Sequence, residues 1–92
     1  MATVIGSFDS EILARVVMPH APTMSPATAQ EILKLTFTAD DRERMGELAA
    51  KAREGTLTVE ERSQADSYER VSSFIGYLKS KARISLKAAA PE

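Results

Sequence analysis

A chain of 92 residues, 43% of them apolar and 5% aromatic, can build one hydrophobic core, so a catalytic domain paired with a separate binding domain is excluded and a single domain over 1–92 is predicted. The absence of cysteine removes disulfides, thiolate metal ligands and thiol nucleophiles together, and points to a reducing cytoplasm. The net charge of -1 hides a gradient of -1 over residues 1–36, -3 over 37–66 and +3 over 67–92, which offers surfaces of different sign to different partners.

The first residues, Met1 to Ser10, have neither a basic n-region nor a long apolar run. Nowhere do about 18 consecutive apolar residues occur, so no export signal and no membrane span are expected. Ile5, Phe8, Ile12, Leu13, Val16 and Val17 recur at steps of three and four and predict a helix from about Asp9 to Val17 with one apolar stripe. Residues 1–8 are expected to fray ahead of it. A strand through the β-branched Val16 and Val17 is the weaker reading, because no second strand is evident to pair with it.

Pro19, Pro22 and Pro26 stiffen the connector that follows, each fixing its own φ and pushing its predecessor out of the α region. Ser25 before Pro26 is a helix start, with a capping hydroxyl and a first helical residue that loses no hydrogen bond. This short helix is predicted to run to about Leu35, burying Ala29, Ile32 and Leu33, with Phe37 closing its end.

Thr38 is the next N-cap, and Asp40 and Asp41 lie in the first turn, where the helix dipole favours negative charge. Met45, Leu48, Ala49 and Ala52 form a narrow stripe of mostly small residues that would let another helix approach closely. Glu47 is expected to pair with Lys51 on the same helix. Gly55 stops the helix, and Thr58 with Glu61 forms a capping box that starts the next one, so a tight hairpin or corner is expected.

The last helix has no breaker but Gly76 and should run to about Lys87, roughly 45 Å, with residues 88–92 fraying. Tyr68, Val71, Ile75, Leu78 and Ala82 step 3, 4, 3, 4 along it, and Phe74 widens that seam. The expected fold is all-α, a small bundle of three to four helices with a long C-terminal helix.

No catalytic set assembles from these residues, so a non-catalytic protein without cofactor or metal is expected. His20 is the only histidine and sits between prolines without a spaced carboxylate to orient it. Asp40, Asp41, Glu43 and Glu47 have simpler roles at a helix N-terminus and in i,i+4 pairs than in a metal cluster. Ser72, Ser73 and Ser80 fall in no nucleophile motif, and the scattered glycines make no phosphate-cradling loop. The basic run Lys79, Lys81, Arg83 and Lys87 suits the C-terminal end of a helix dipole, or an acidic surface or phosphate backbone. The helix is apolar on more than one side, so Tyr68, Val71, Phe74, Ile75, Tyr77 and Leu78 with these four basic residues are the candidate partner-binding set.

Two longer stretches add a resemblance. The stretch Ala52 to Glu61, A-R-E-G-T-L-T-V-E-E, followed by Tyr68-Glu69-Arg70-Val71 and the closing Ser80-Lys81-Ala82-Arg83, resembles a family of small bacterial helical proteins. Arg15-Val16 with Pro19, and Ser25-Pro26 before Ala29, extend the similarity over most of the chain. The family commonly has proline after the capping threonine and a Gly-His pair after the equivalent of Val71, where this chain has Val59 and Ser72-Ser73. Its members look like neighbours of HNH-type nuclease genes. The resemblance therefore implies an accessory or antitoxin-like partner of a larger effector, with a nuclease as the expected effector. A homo-oligomer on the Tyr68 to Ala82 seam, and a nucleic-acid binder using the basic helix, are the alternatives.

Overall fold

Local capping chemistry sets most of the helix boundaries. In the computed structural model, which describes the backbone of residues 5–89 and the side chains of 8–89, four helices follow in order: α1 (Ile5–Val17), α2 (Pro26–Leu33), α3 (Ala39–Glu54) and α4 (Val59–Ala89). The described chain is all-α. Ser25 caps α2, its hydroxyl accepting from the Thr28 amide, and Thr38 caps α3 by accepting from the Asp41 amide at 3.1 Å. Gly55 closes α3 at φ +73°, the left-handed region that glycine enters without a Cβ penalty. The capping box that opens α4 is reciprocal: the Glu61 amide donates to Thr58 Oγ1 at 3.0 Å and the Thr58 amide to Glu61 Oε1 at 3.1 Å.

The boundaries correct the sequence reading in three places. Helix α1 begins at Ile5, so residues 5–8 are helical, and the expected fraying of 1–4 and 90–92 lies outside the described residues. Helix α2 stops at Leu33, because the chain must turn before Thr38 can cap α3. Helix α4 continues two residues past Lys87, through alanines that carry the highest helix propensity.

Helix α4 is the spine. Helices α1, α2 and α3 each pack on it, and among the described residues none of the three packs on another. Helix α1 runs parallel to α4, with Asp9 near Arg70 at one end and the Val17 carbonyl accepting from Lys81 Nζ at 2.8 Å at the other. Helix α2 runs antiparallel, from Met24, whose amide donates to Ser85 Oγ at 3.1 Å, towards Phe37, which meets Tyr68 edge-to-face at 5.9 Å. Helix α3 folds back along the first third of α4 through the Gly55 corner.

A spine with three struts leaves a thin core. Among the described residues Val17, Ala29, Leu48 and Ala82 are the buried apolar ones, joined by Pro19 and by Ser85, whose hydroxyl serves the Met24 amide. Ala29 and Ala82 have no exposed surface, small side chains that permit close helix approach. The chain measures 52 × 30 × 16 Å with a radius of gyration of 16.0 Å. A compact domain of this length would reach about 12 Å. The molecule is long and flat, and its apolar surface is correspondingly exposed.

Candidate partner-binding surface

Successive residues of α4 rotate by about 100°, so residues spaced by three or four share a side and the candidate set divides into four groups. Tyr68 and Ile75 belong to the side that faces the Phe37 segment: both are half-buried and share with Phe37 and Thr38 an open hollow of about 630 Å3. Tyr68 donates its hydroxyl to Asp41 Oδ1 at 2.7 Å. That bond, with the one from the Thr38 hydroxyl, holds the Asp41 carboxyl below its ordinary range, while the same Asp41 contact raises the Tyr68 phenol. Tyr68 is thereby a structural staple between α3 and α4.

Val71 and Phe74 form the second group, with Val71 also at the edge of the Phe37 hollow. They are 46% and 40% exposed on the middle of α4, where neither α1 nor α2 covers them fully, and Leu78 continues their side half-buried. Buried aromatic and aliphatic anchors dominate binding energy at interfaces, which makes exposed Phe74 the natural centre of such a contact.

Tyr77 and Lys81 form the third group and face the end of α1. Tyr77 lines an open hollow with Ala14, Met18, Pro19 and the lone histidine, His20. Lys81 caps the last turn of α1 through the Val17 carbonyl, and Met18 beyond it adopts φ +51°, an uncommon angle for a residue with a Cβ. Sequence spacing grouped Lys81 with the other cations, whereas its ammonium is used internally. Lys79, Arg83 and Lys87 form the fourth group, at i, i+4 and i+8. Arg83 and Lys87 are exposed and Lys79 is half-exposed, making one basic row on a different side of α4 from Phe74.

Asp41, Glu47 and Glu61 of the acidic middle are engaged within the α3–α4 hairpin. Glu61, with its side chain 13% exposed, accepts from Lys51 Nζ at 2.8 Å and Arg44 at 3.3 Å. These bonds, that with Lys51 first, and the Thr58 amide hold its carboxyl down at about 2. Arg44 also pairs with Glu47 at 3.0 Å, which raises the guanidinium further above its ordinary value. The expected Glu47–Lys51 pair is therefore replaced. Lys51 reaches across the corner to a carboxylate already fixed by its capping role, and Glu47 turns back to Arg44.

The small-residue stripe of α3 is likewise not closely approached. Only Leu48 is buried, Ala49 and Ala52 stay exposed, and an open hollow remains between them and Ala65. Short alanine side chains leave that gap where polar staples set the helix separation.

A further exposed apolar row lies where sequence reasoning did not place it. Phe8, Ile12 and Val16 on α1 are 62%, 38% and 73% exposed, while Leu13, Ala14 and Val17 turn towards α4. The signal was available: six apolar residues in the first helix span a wider arc than one helix contact can cover, and they separate into two rows at i,i+4 spacing. Among the described residues no group of three metal-ligating side chains lies together, and no helix is long and apolar enough to cross a membrane. In comparison with known proteins, no family model, no curated protein and no solved structure matches the chain.

Proposed function

We propose that this chain is a small non-catalytic protein-binding module, an accessory or antitoxin-like partner that docks on a larger effector in the cytoplasm. The observation that carries the reading is the exposure of Val71 and Phe74 on the longest helix. Large apolar side chains held on a rigid helix suit a partner that supplies the missing cover. The basic row Lys79, Arg83 and Lys87 would steer an acidic partner surface more than it adds affinity. An HNH-type nuclease is the effector that the resemblance of the Ala52 to Glu61 turn and the Ser80 to Arg83 stretch implies.

The test is affinity purification of the tagged chain together with an HNH-type nuclease of its own genome, comparing wild type with Val71→Asp/Phe74→Asp. Loss of the nuclease from the variant, with helical circular dichroism retained, supports the proposal. Phe74→Ala is the milder control. Retention of the nuclease by both variants contradicts it.

A nucleic-acid reading is kept second by the alignment of Lys79, Arg83 and Lys87 in one row. It requires binding to short duplexes or single strands at low salt, with log affinity falling by roughly 0.7 to 0.9 per phosphate contact for each tenfold rise in salt.

A further inference from the structure

We propose that the exposed face of α1 made by Phe8, Ile12 and Val16 binds a second copy of this chain, the two α1 helices packing antiparallel about a two-fold axis. The three side chains follow i, i+4, i+8, one apolar row on a helix whose opposite side is already against α4. Two-fold association is the commonest way for one surface to satisfy a second copy of itself, provided the surface is self-complementary.

This one is. In an antiparallel pair with Ile12 on the axis, Phe8 of each copy meets Val16 of the other. Glu11 and Arg15 lie on the same flank of the row, both exposed and in no ion pair among the described residues. A perpendicular two-fold axis brings like flanks together, so Glu11 of each copy comes within about two residues, roughly 3 Å along the helix, of Arg15 of the other. Both side chains are long enough to close that offset. The other flank is occupied by Asp9 reaching Arg70 of α4 at 3.8 Å, so only the Glu11/Arg15 flank is open.

Other occupants fit less well. Residues 5–17 carry Asp9 and Glu11 against Arg15 alone, the wrong sign for an anionic membrane surface. A dissimilar protein needs no matched pair of opposite charges on one flank. The surface is also there to be covered: 6602 Å2 is accessible, against about 5,200 Å2 for a compact monomer of this mass. The difference exceeds the roughly 800 Å2 that each partner contributes to a standard interface, leaving room for this contact beside one on α4. The row itself is only about 12 Å long, which places the dimer in the weak, concentration-dependent class. The proposal uses none of the residues assigned to the effector contact and stands independently of it.

Sedimentation equilibrium of the full chain, from low to high micromolar concentration, tests it. Wild type should pass from 10.0 kDa towards twice that mass. Val16→Lys should remain monomeric with its unfolding temperature unchanged, since Val16 is 73% exposed. Glu11→Arg and Arg15→Glu should each dimerise about tenfold more weakly, because each sets two like-charge pairs against one another. Mixing those two variants should restore wild-type association, since every pair in the mixed dimer is then opposite in sign. A wild type monomeric at all concentrations overturns the proposal, as does a dimer that Val16→Lys leaves intact or a mixture no tighter than its components. If the chain is monomeric and Val16→Lys instead weakens nuclease co-purification, the face belongs to the effector.

Discussion

The two ends of α4 are built by different chemistry. At its N-terminal end the α3 hairpin is held by named polar contacts: the reciprocal Thr58/Glu61 cap, Lys51 and Arg44 on Glu61, and Tyr68 on Asp41. Leu48 is the one buried apolar residue on α3. From the middle of α4 to its C-terminal end, α1 and α2 pack through Val17, Ala29 and Ala82, with few polar bonds and with Phe8, Ile12, Val16, Val71 and Phe74 left exposed. Directional contacts fix one geometry at the hairpin without a large core, and Val59 in the first turn of α4 stays 89% exposed. Apolar packing without enough partners leaves faces that a second chain can cover, and both proposed interfaces lie beyond the hairpin, along α1 and the middle of α4.

The comparison can be broken most severely at Leu48. Truncation to alanine removes the only buried anchor of α3 and should cost about 3 kcal/mol, read by thermal unfolding, with amide exchange accelerating in α3 before α1 or α2. At the other end, Ala82→Leu forces a larger side chain into a site with no exposed surface. It should cost about 2 kcal/mol by the same measurement, with exchange rising first in α1 and α2. Gly55→Ala should cost about 1 kcal/mol, since a Cβ at φ +73° is strained although the space around it is open.

Acid should separate the ends with the smallest loss. Glu61 is held at about 2 against an ordinary 4.5, and Asp41 is also lowered. Such carboxylates contribute stability that is complete above their unfolded values and disappears as pH falls through the folded ones. The α3–α4 hairpin should therefore loosen between about pH 4.5 and pH 2, ahead of α1 and α2, as followed residue by residue in NMR spectra. Loss of α1 first would contradict the assignment of polar staples to the hairpin.

Much of this architecture was legible in local sequence. Ser25-Pro26, Thr38, Gly55 and the Thr58/Glu61 box each satisfy orphan backbone groups within four residues, so their chemistry can be read without knowing the fold. What was not legible depended on which helices meet. Lys51 looked like a partner for Glu47 because both lie on α3, until the corner at Gly55 brought Glu61 nearer. Lys81 looked like one of four surface cations, until parallel packing placed the end of α1 beneath it. The six apolar residues of the first helix looked like one buried stripe, whereas α4 covers only the Leu13/Val17 side. The seam Tyr68, Val71, Ile75, Leu78 and Ala82 was offered to a second copy, whereas α2 with Phe37 already lies along its Tyr68, Ile75 and Ala82 part. Self-association is accordingly assigned to α1.

The central claim is that Val71 and Phe74 form a partner site on α4 and are not merely incompletely packed. Isothermal titration of the chain into a purified HNH-type nuclease of the same genome tests it most directly. Wild type should bind saturably, and Phe74→Ala should weaken binding by roughly thirtyfold or more, the effect of losing a central aromatic anchor, with its helical content retained. Equal affinity of wild type and Phe74→Ala, or no binding by the folded wild type, would contradict it.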